Sequence, residues 1–275
     1  MQYHLKLFMI TVTILLCITE PTFPNDYIQN LKNGTWEQRI TAMNTLGYSG
    51  NKKAFWYLVK YLDQQFQSNN QNLAIRVRQA AALSLGRLKD DRAIPYLVER
   101  YKKEQDPEVK RAILFALRFF KPNQDTIAIV KQGLSDSNKD VQWEALIVAS
   151  IYCDSSLATD VAQLGKDDPE INVISAYIQY MINQNKSENE SIMRKSLQHK
   201  NPSVRYWASH FKTKSLGTAA LDDIMKALEI ESVWWVANEM ENNIYILARK
   251  KFNDEMVEQL GSFRFVIDKK DKQVQ

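Results

Sequence analysis

IRVRQAAALSLGRLKDDRAIPYLVERYKK, residues 75–103, is the stretch from which the rest of the chain can be read. Counting from Val77, small or apolar residues stand three, four, seven, eight and eleven places on, at Ala80, Ala81, Ser84, Leu85 and Leu88. On a helix turning once every 3.6 residues these positions form one broad stripe. After a short polar break, Ala93 to Lys103 gives a second amphipathic helix. The alanines of the first helix let the two approach closely. The segment therefore predicts a helix pair.

The same pattern recurs along the chain, which is the signature of a repeat architecture. Taking Val77 as anchor, the equivalent residues are Val109, Val141, Ile171, Val204 and Val233, separated by 32, 32, 30, 33 and 29 positions. Three of these helices open with Asp106–Pro107, Asp168–Pro169 and Asn201–Pro202, the anchor always two places beyond the proline. Asp or Asn supplies the capping oxygen, and proline suits the first helical position because no amide donor is needed there. A looser copy, WEQRITAMNTLG, precedes them; its Arg39, Leu46 and Gly47 match Arg78, Leu85 and Gly86 at an offset of 39, the excess falling in the polar insert Gln64–Asn72. Second helices are predicted over Ala54–Phe66, Ala93–Lys103, Thr126–Leu134, Leu157–Leu164, Ser191–Leu197 and Ala219–Leu228. The expected fold is all-α, with about seven helix pairs and a period near 31 residues.

Composition agrees. Hydrophobic residues make up 45% of the 275 and charged residues 25%, enough for a packed core. Eight Gly and seven Pro are too few for a β-protein that turns every ten residues or so.

The D-P-x-V-[KR]-x-A opening and the Leu-Gly close resemble HEAT repeats, in particular the short variety of phycobilisome-lyase-like HEAT proteins. The resemblance spans about Asn25 to Leu260 and is strongest in the copies at Ile75 and Asp106. It implies a right-handed α-solenoid whose Val-Arg helices line a concave surface. Domain bounds of 25–262 for the solenoid and 263–275 for a C-terminal extension follow, the last residues (Asp268–Gln275) being charged and expected to be disordered.

The N-terminus reads differently. One positive charge in Met1–Lys6 precedes an apolar run, Leu7–Ile18, and then Pro21 and Pro24. Twelve apolar residues fall short of the roughly 20 that span a bilayer and fit a secretory signal peptide over 1–19. The chain is accordingly expected to be exported: periplasmic, envelope-associated or secreted. Cys17 would leave with the leader; a membrane attachment would require its lipidation, but Leu16 stands where a lipobox wants a small residue. Cys153 is then alone, reads as a small core residue, and leaves no intramolecular disulfide.

Chemistry is hard to find. His4 lies in the leader, His199 reads as a helix-end residue and His210 as a packed or rim residue. No CxxC, HExxH, Gly-rich phosphate loop or G-x-S-x-G elbow occurs, so neither catalytic nor metal-ligating residues are assigned and no cofactor is expected. The acidic pairs Asp167–Asp168, Asp222–Asp223 and Glu239–Glu241 read as helix starts or polar faces.

Two sets of residues could contact a partner. Arg78, Lys110 and Arg205 follow their anchors and could form a cationic ladder on the concave face, or each could pair with an acid of a neighbouring repeat and hold the stack. Trp234 and Trp235 adjoin on one helix, and since neighbours lie about 100° apart, one is expected to be exposed. The function expected is a non-catalytic scaffold binding another protein. The alternatives are an enzyme of the phycobilin-lyase-like type, whose setting is cytosolic, and a nucleic-acid binder. Without residues 1–19 the balance is 35 basic against 32 acidic side chains, a weak attraction for nucleic acid, so none is expected as partner.

Overall fold

The computed structural model describes residues 26–63 and 71–251, and among them every regular element is a helix. The leader, Cys17, most of the polar insert and the C-terminal extension lie outside the described residues.

Seven helices carry the anchor pattern and are called A helices here: α2 (Trp36–Tyr48), α4 (Gln71–Leu88), α6 (Pro107–Leu117), α8 (Lys139–Tyr152), α10 (Pro169–Met181), α12 (Pro202–Leu216) and α14 (Trp234–Lys251). The B helices between them are α3 (Phe55–Asp63), α5 (Ala93–Lys103), α7 (Gln124–Leu134), α9 (Ala158–Leu164), α11 (Lys186–Ser196) and α13 (Leu221–Ile230). A single 3₁₀ turn leads into α3, α9 and α13. One helix, α1 (Asp26–Asn33), has no template in the repeat. The chain is thus an α-solenoid, and its helices fall into two compact units, residues 1–120 and 121–275.

Local chemistry sets the A-helix starts as expected. The Asp106 carboxylate accepts from the amides of Glu108 and Val109, Asp168 from those of Glu170 and Ile171, and the Asn201 side chain from Ser203. Asn138 does the same for α8 without a proline, and Thr35 closes a capping box with Gln38 on α2.

The ends were not foreseen. Gly50, Lys89, Cys153 and Asn183 all have positive φ (67, 51, 47 and 70°) and stand twelve places beyond their anchors or the matching position of the first copy. A left-handed residue just past a helix is a common stop, usually glycine; here three of the four carry a side chain and bear its steric cost. The Leu-Gly close does something else. A Cβ on Gly47 would lie 2.8 Å from Ser84 Cα, and one on Gly86 would lie 2.6 Å from Ala116 Cα. These glycines set how close α2 comes to α4, and α4 to α6.

The core of the first unit is the predicted stripe: Val77, Ala80, Ala81, Ser84, Leu85 and Leu88 are all buried, against Leu46 and Met43 of α2 and Val109 and Ile113 of α6. In the second unit Val141 and Val204 are buried likewise. Ile171 and Val233 are only half-buried, and Val173, Ile174, Val236 and Met240 fill the core instead. A Cβ on Gly165 would meet Asn172 Cα at 3.1 Å, so the end of α9 lies close against the start of α10.

The second unit also buries a cation. Lys212 of α12 is fully enclosed, its ammonium 3.0 Å from Asp223 of α13; Arg194 of α11 reaches both Asp223 (3.0 Å) and Glu190 (2.8 Å). Three helices meet at this network.

Because the approach at Gly86 leaves no room even for a methyl group against the backbone of Ala116, Gly86→Ala should lower the unfolding free energy by about 1–3 kcal/mol. Chemical denaturation checks this; an unchanged midpoint would mean that α4 and α6 can separate at no cost.

Candidate functional site

In two repeats the residue following the anchor turns inward to a partner. Arg78 Nε and Nη2 donate to Glu104 at 2.9 and 3.2 Å; Arg205 Nε and Nη2 donate to Glu231 at 2.6 and 2.7 Å. Both acids lie 26 positions beyond their arginine, where a B helix ends. Each carboxylate also accepts from the next two backbone amides, Gln105 and Asp106 for Glu104, Ser232 and Val233 for Glu231. One buried carboxylate therefore clamps the A helix of its own pair and fastens the turn into the following A helix. Arg100 adds a third cationic contact to Glu104 at 2.7 Å. Arg205 Nη1 reaches back to the carbonyl of His199 (2.8 Å), and in the first copy Arg39 reaches the carbonyls of Gly34 and Lys32.

Arg78 and Arg205, named above as possible partner contacts, thus point at intramolecular acids. Lys110 is half-buried with its ammonium 6.0 Å from the Tyr101 ring centroid. The 26-residue offset was the signal for the clamp and is visible in the sequence. From Lys110 it falls on Asp136, whose carboxylate accepts from the Asn138 amide as the two glutamates do from theirs.

Burial alone would raise the carboxyls of Glu104 and Glu231. Hydrogen bonds from Arg78, the Asp106 amide and Arg100 in one case, and from Arg205 and the Val233 amide in the other, outweigh it and hold both below the ordinary 4.5.

The second unit gathers aromatic rings on its A helices. Trp143 of α8 and Trp207 of α12 meet edge-on at 5.6 Å, Trp207 stacks on Phe211 at 5.5 Å, and Tyr206 lies 5.7 Å from Trp235 of α14. His210 is stacked on Tyr206, and its Nδ1 donates to the Glu239 carboxylate at 3.0 Å. The His210 contact draws the Glu239 carboxyl down against its burial, with Asn243 adding a hydrogen bond; Asn243 also donates to Ser209. This cluster ties α12 to α14. No hydroxyl or thiol is placed against the imidazole as a nucleophile would be, and the described residues contain no group of His, Cys, Asp and Glu able to hold a metal. His199 accepts from the Asn201 amide at a helix end. No described helix is long and apolar enough to cross a membrane.

The two candidate tryptophans separate as adjacent helical positions must. Trp235 is half-buried against Tyr206, while Trp234 is 71% exposed. Trp56 of α3 is exposed too but lies edge-on against Phe55 and Tyr96.

A further row escaped sequence reasoning. Ten places beyond the anchor, where each A helix is closing, stand Tyr48, Arg87, Phe119, Ile151, Met181 and Lys214. Tyr48 is 74% exposed, and Ile151 and Met181 nearly half. The hydrophobic stripe of the repeat does not reach this position, so nothing in the pattern marks it.

These helix pairs define a class, the α-solenoid of short two-helix repeats. Residues 25–118 match the family described as HEAT repeats. No curated protein matches the chain. Among solved structures it is similar to YibA of Escherichia coli, a structural genomics target, at 16% identity and a TM-score of 0.49, over 81% of this chain and 82% of that one.

Glu104→Gln and Glu231→Gln should each cost roughly 3 kcal/mol near neutral pH, since each leaves a largely buried guanidinium without its counter-charge. A carboxyl titrating lower folded than unfolded contributes fully above its unfolded value, near 4.5, and loses that contribution as pH falls through the lower folded value. Wild-type stability should therefore decline below about pH 4.5, and each variant should show a shallower acid limb. Thermal melts from pH 3 to 7 read both effects, and parallel limbs would remove the clamp from the explanation.

Proposed function

We propose that the chain is an exported, non-catalytic scaffold that binds another protein through the exposed faces of its A helices, with Trp234 as the anchoring contact. The observation that carries this reading is Trp234 itself: a large ring, 71% exposed at the first position of α14. Exposed tryptophans are over-represented among the residues that dominate protein interfaces. The repeat supports the same reading, because a solenoid presents an extended surface of successive helices. Export rests on the leader-like residues 1–19, and with it a partner outside the cytoplasm. Arg78 and Arg205 then serve the reading indirectly, by fixing the turns between helices.

Two measurements test it. Capture from the envelope or secreted fraction should recover a partner with the wild-type chain, and Trp234→Ala should weaken that binding at least tenfold, about 1.4 kcal/mol, with unchanged helicity; Trp235→Ala should act less and should also loosen α14. Full binding by both variants would overturn the Trp234 assignment. N-terminal sequencing should find a chain beginning after residue 19, whereas a cytosolic chain retaining Met1 would overturn export.

A further inference from the structure

The whole-chain charge of +4 conceals a division. Residues 26–120 of the first unit hold 16 Lys and Arg against 9 Asp and Glu, net +7, while residues 121–251 hold 15 against 17, net −2. Five of the nine acids of the first unit are engaged internally: Asp90 by Arg92, Glu99 by Lys103, Glu104 by Arg78 and Arg100, Glu108 by Arg111, and Asp106 by the amides it caps. Cations are left over. Two of them stand at the closing ends of the A helices in the company of aromatic rings. Arg87 lies 4.0 Å over the exposed ring of Tyr48, and the Lys89 ammonium 5.9 Å from the ring of Phe119, which meets Phe115 edge-on. Tyr48, Arg87 and Phe119 occupy the same repeat position, so the row is built by the stacking of α2, α4 and α6.

We infer that this edge of the first unit docks an acidic polypeptide segment bearing aromatic or aliphatic side chains. A guanidinium lying flat on a ring keeps its in-plane N–H groups free to meet a carboxylate, and the stack fixes its orientation beforehand. Tyr48 and Phe119 offer apolar contact beside the two cations. Nucleic acid fits less well: two of the three equivalent positions are uncharged rings, and Asp90 and Asp91 follow directly on Lys89 in the same turn, which breaks the run of cations that a phosphate backbone follows. The inference rests on the scaffold reading but not on Trp234, which lies in the other unit.

The probe is a fluorescent random Glu–Tyr copolymer, titrated into the full-length chain at 50 and 200 mM salt. Wild type should bind it, more weakly at the higher salt. Arg87→Glu with Lys89→Glu should weaken binding at least tenfold. Lys60→Glu with Lys102→Glu, an equal charge change on exposed B-helix positions, should cost no more than about twofold. Tyr48→Ala should cost severalfold without altering the salt dependence, and Trp234→Ala should bind normally. The proposal is overturned if the wild type fails to bind at 50 mM, if both double variants lose equally, or if a 20-base-pair DNA duplex binds through Arg87 and Lys89 more tightly than the copolymer. Circular dichroism melts confirm that each variant is folded, and loss of copolymer binding in Trp234→Ala alone would count against this edge while sparing the Trp234 reading.

Discussion

Each unit depends on how one helix pair is fastened to the next, because a solenoid has no contacts between elements far apart in sequence to fall back on. The fastening is a buried carboxylate used twice. Glu104 and Glu231 each bind an arginine on the A helix of their own pair and, with the same group, hold the turn that starts the next. Neither job could be left to exposed ions, where a pair is worth at most about 1 kcal/mol. Burial raises the penalty for leaving the acid unpaired, and that penalty is what makes the geometry definite. The glycines act beside it: Gly47 and Gly86 admit the neighbouring backbone, so the distance between A helices is set by sterics while the clamp sets the turn.

Committing the arginines to this duty decides which surfaces remain for partners. The anchors Val77, Val109, Val141 and Val204, and the arginines that follow two of them, are consumed by the stack. What stays accessible on the A helices is the rim: Trp234 at an opening end, Tyr48 with Arg87 at the closing ends. The closing ends are unusual in that the left-handed residues there include Lys89 and Cys153, where glycine would be easier. At Lys89 the side chain bought by that strain is a cation held over Phe119. Cys153 is half-buried, and burial pushes its thiol up from the ordinary value.

The fold was largely legible because its determinants are periodic and local. The anchor spacing, the Asp-Pro and Asn-Pro starts and the alanine-rich stripe each depend only on residues within one helix, and Val77, Val109, Val141 and Val204 are buried as their spacing implies. Failures came where a neighbour intervenes. Ile171 stands at the start of α10 where the end of α9 closes on it, and Val233 lies at the mouth of α14 ahead of its first turn. Helix α1 has no counterpart in the period; it is fixed by tertiary bonds, its Leu31 carbonyl accepting from the Tyr61 hydroxyl and its Lys32 carbonyl from Arg39. The candidate site was less legible for the same reason. Whether an arginine after an anchor faces solvent or an acid depends on the residue 26 positions on, a correlation between repeats that the pattern within one helix does not contain.

Charge follows the same logic at a larger scale. A balance near zero over the whole chain argues against an electrostatic partner only if the two signs are evenly spread. Here they are not: the first unit carries the excess of cations, while the second pairs a buried Lys212 and a surface Arg194 with Glu190 and Asp223. With a screening length near 10 Å at 0.1 M salt, a partner at one rim responds to the charges of that rim and hardly to those several helices away. The quantity that bears on recognition is therefore the local surplus left after internal pairing, and in the first unit that surplus includes Arg87 beside the exposed Tyr48 and Lys89 beside the half-buried Phe119.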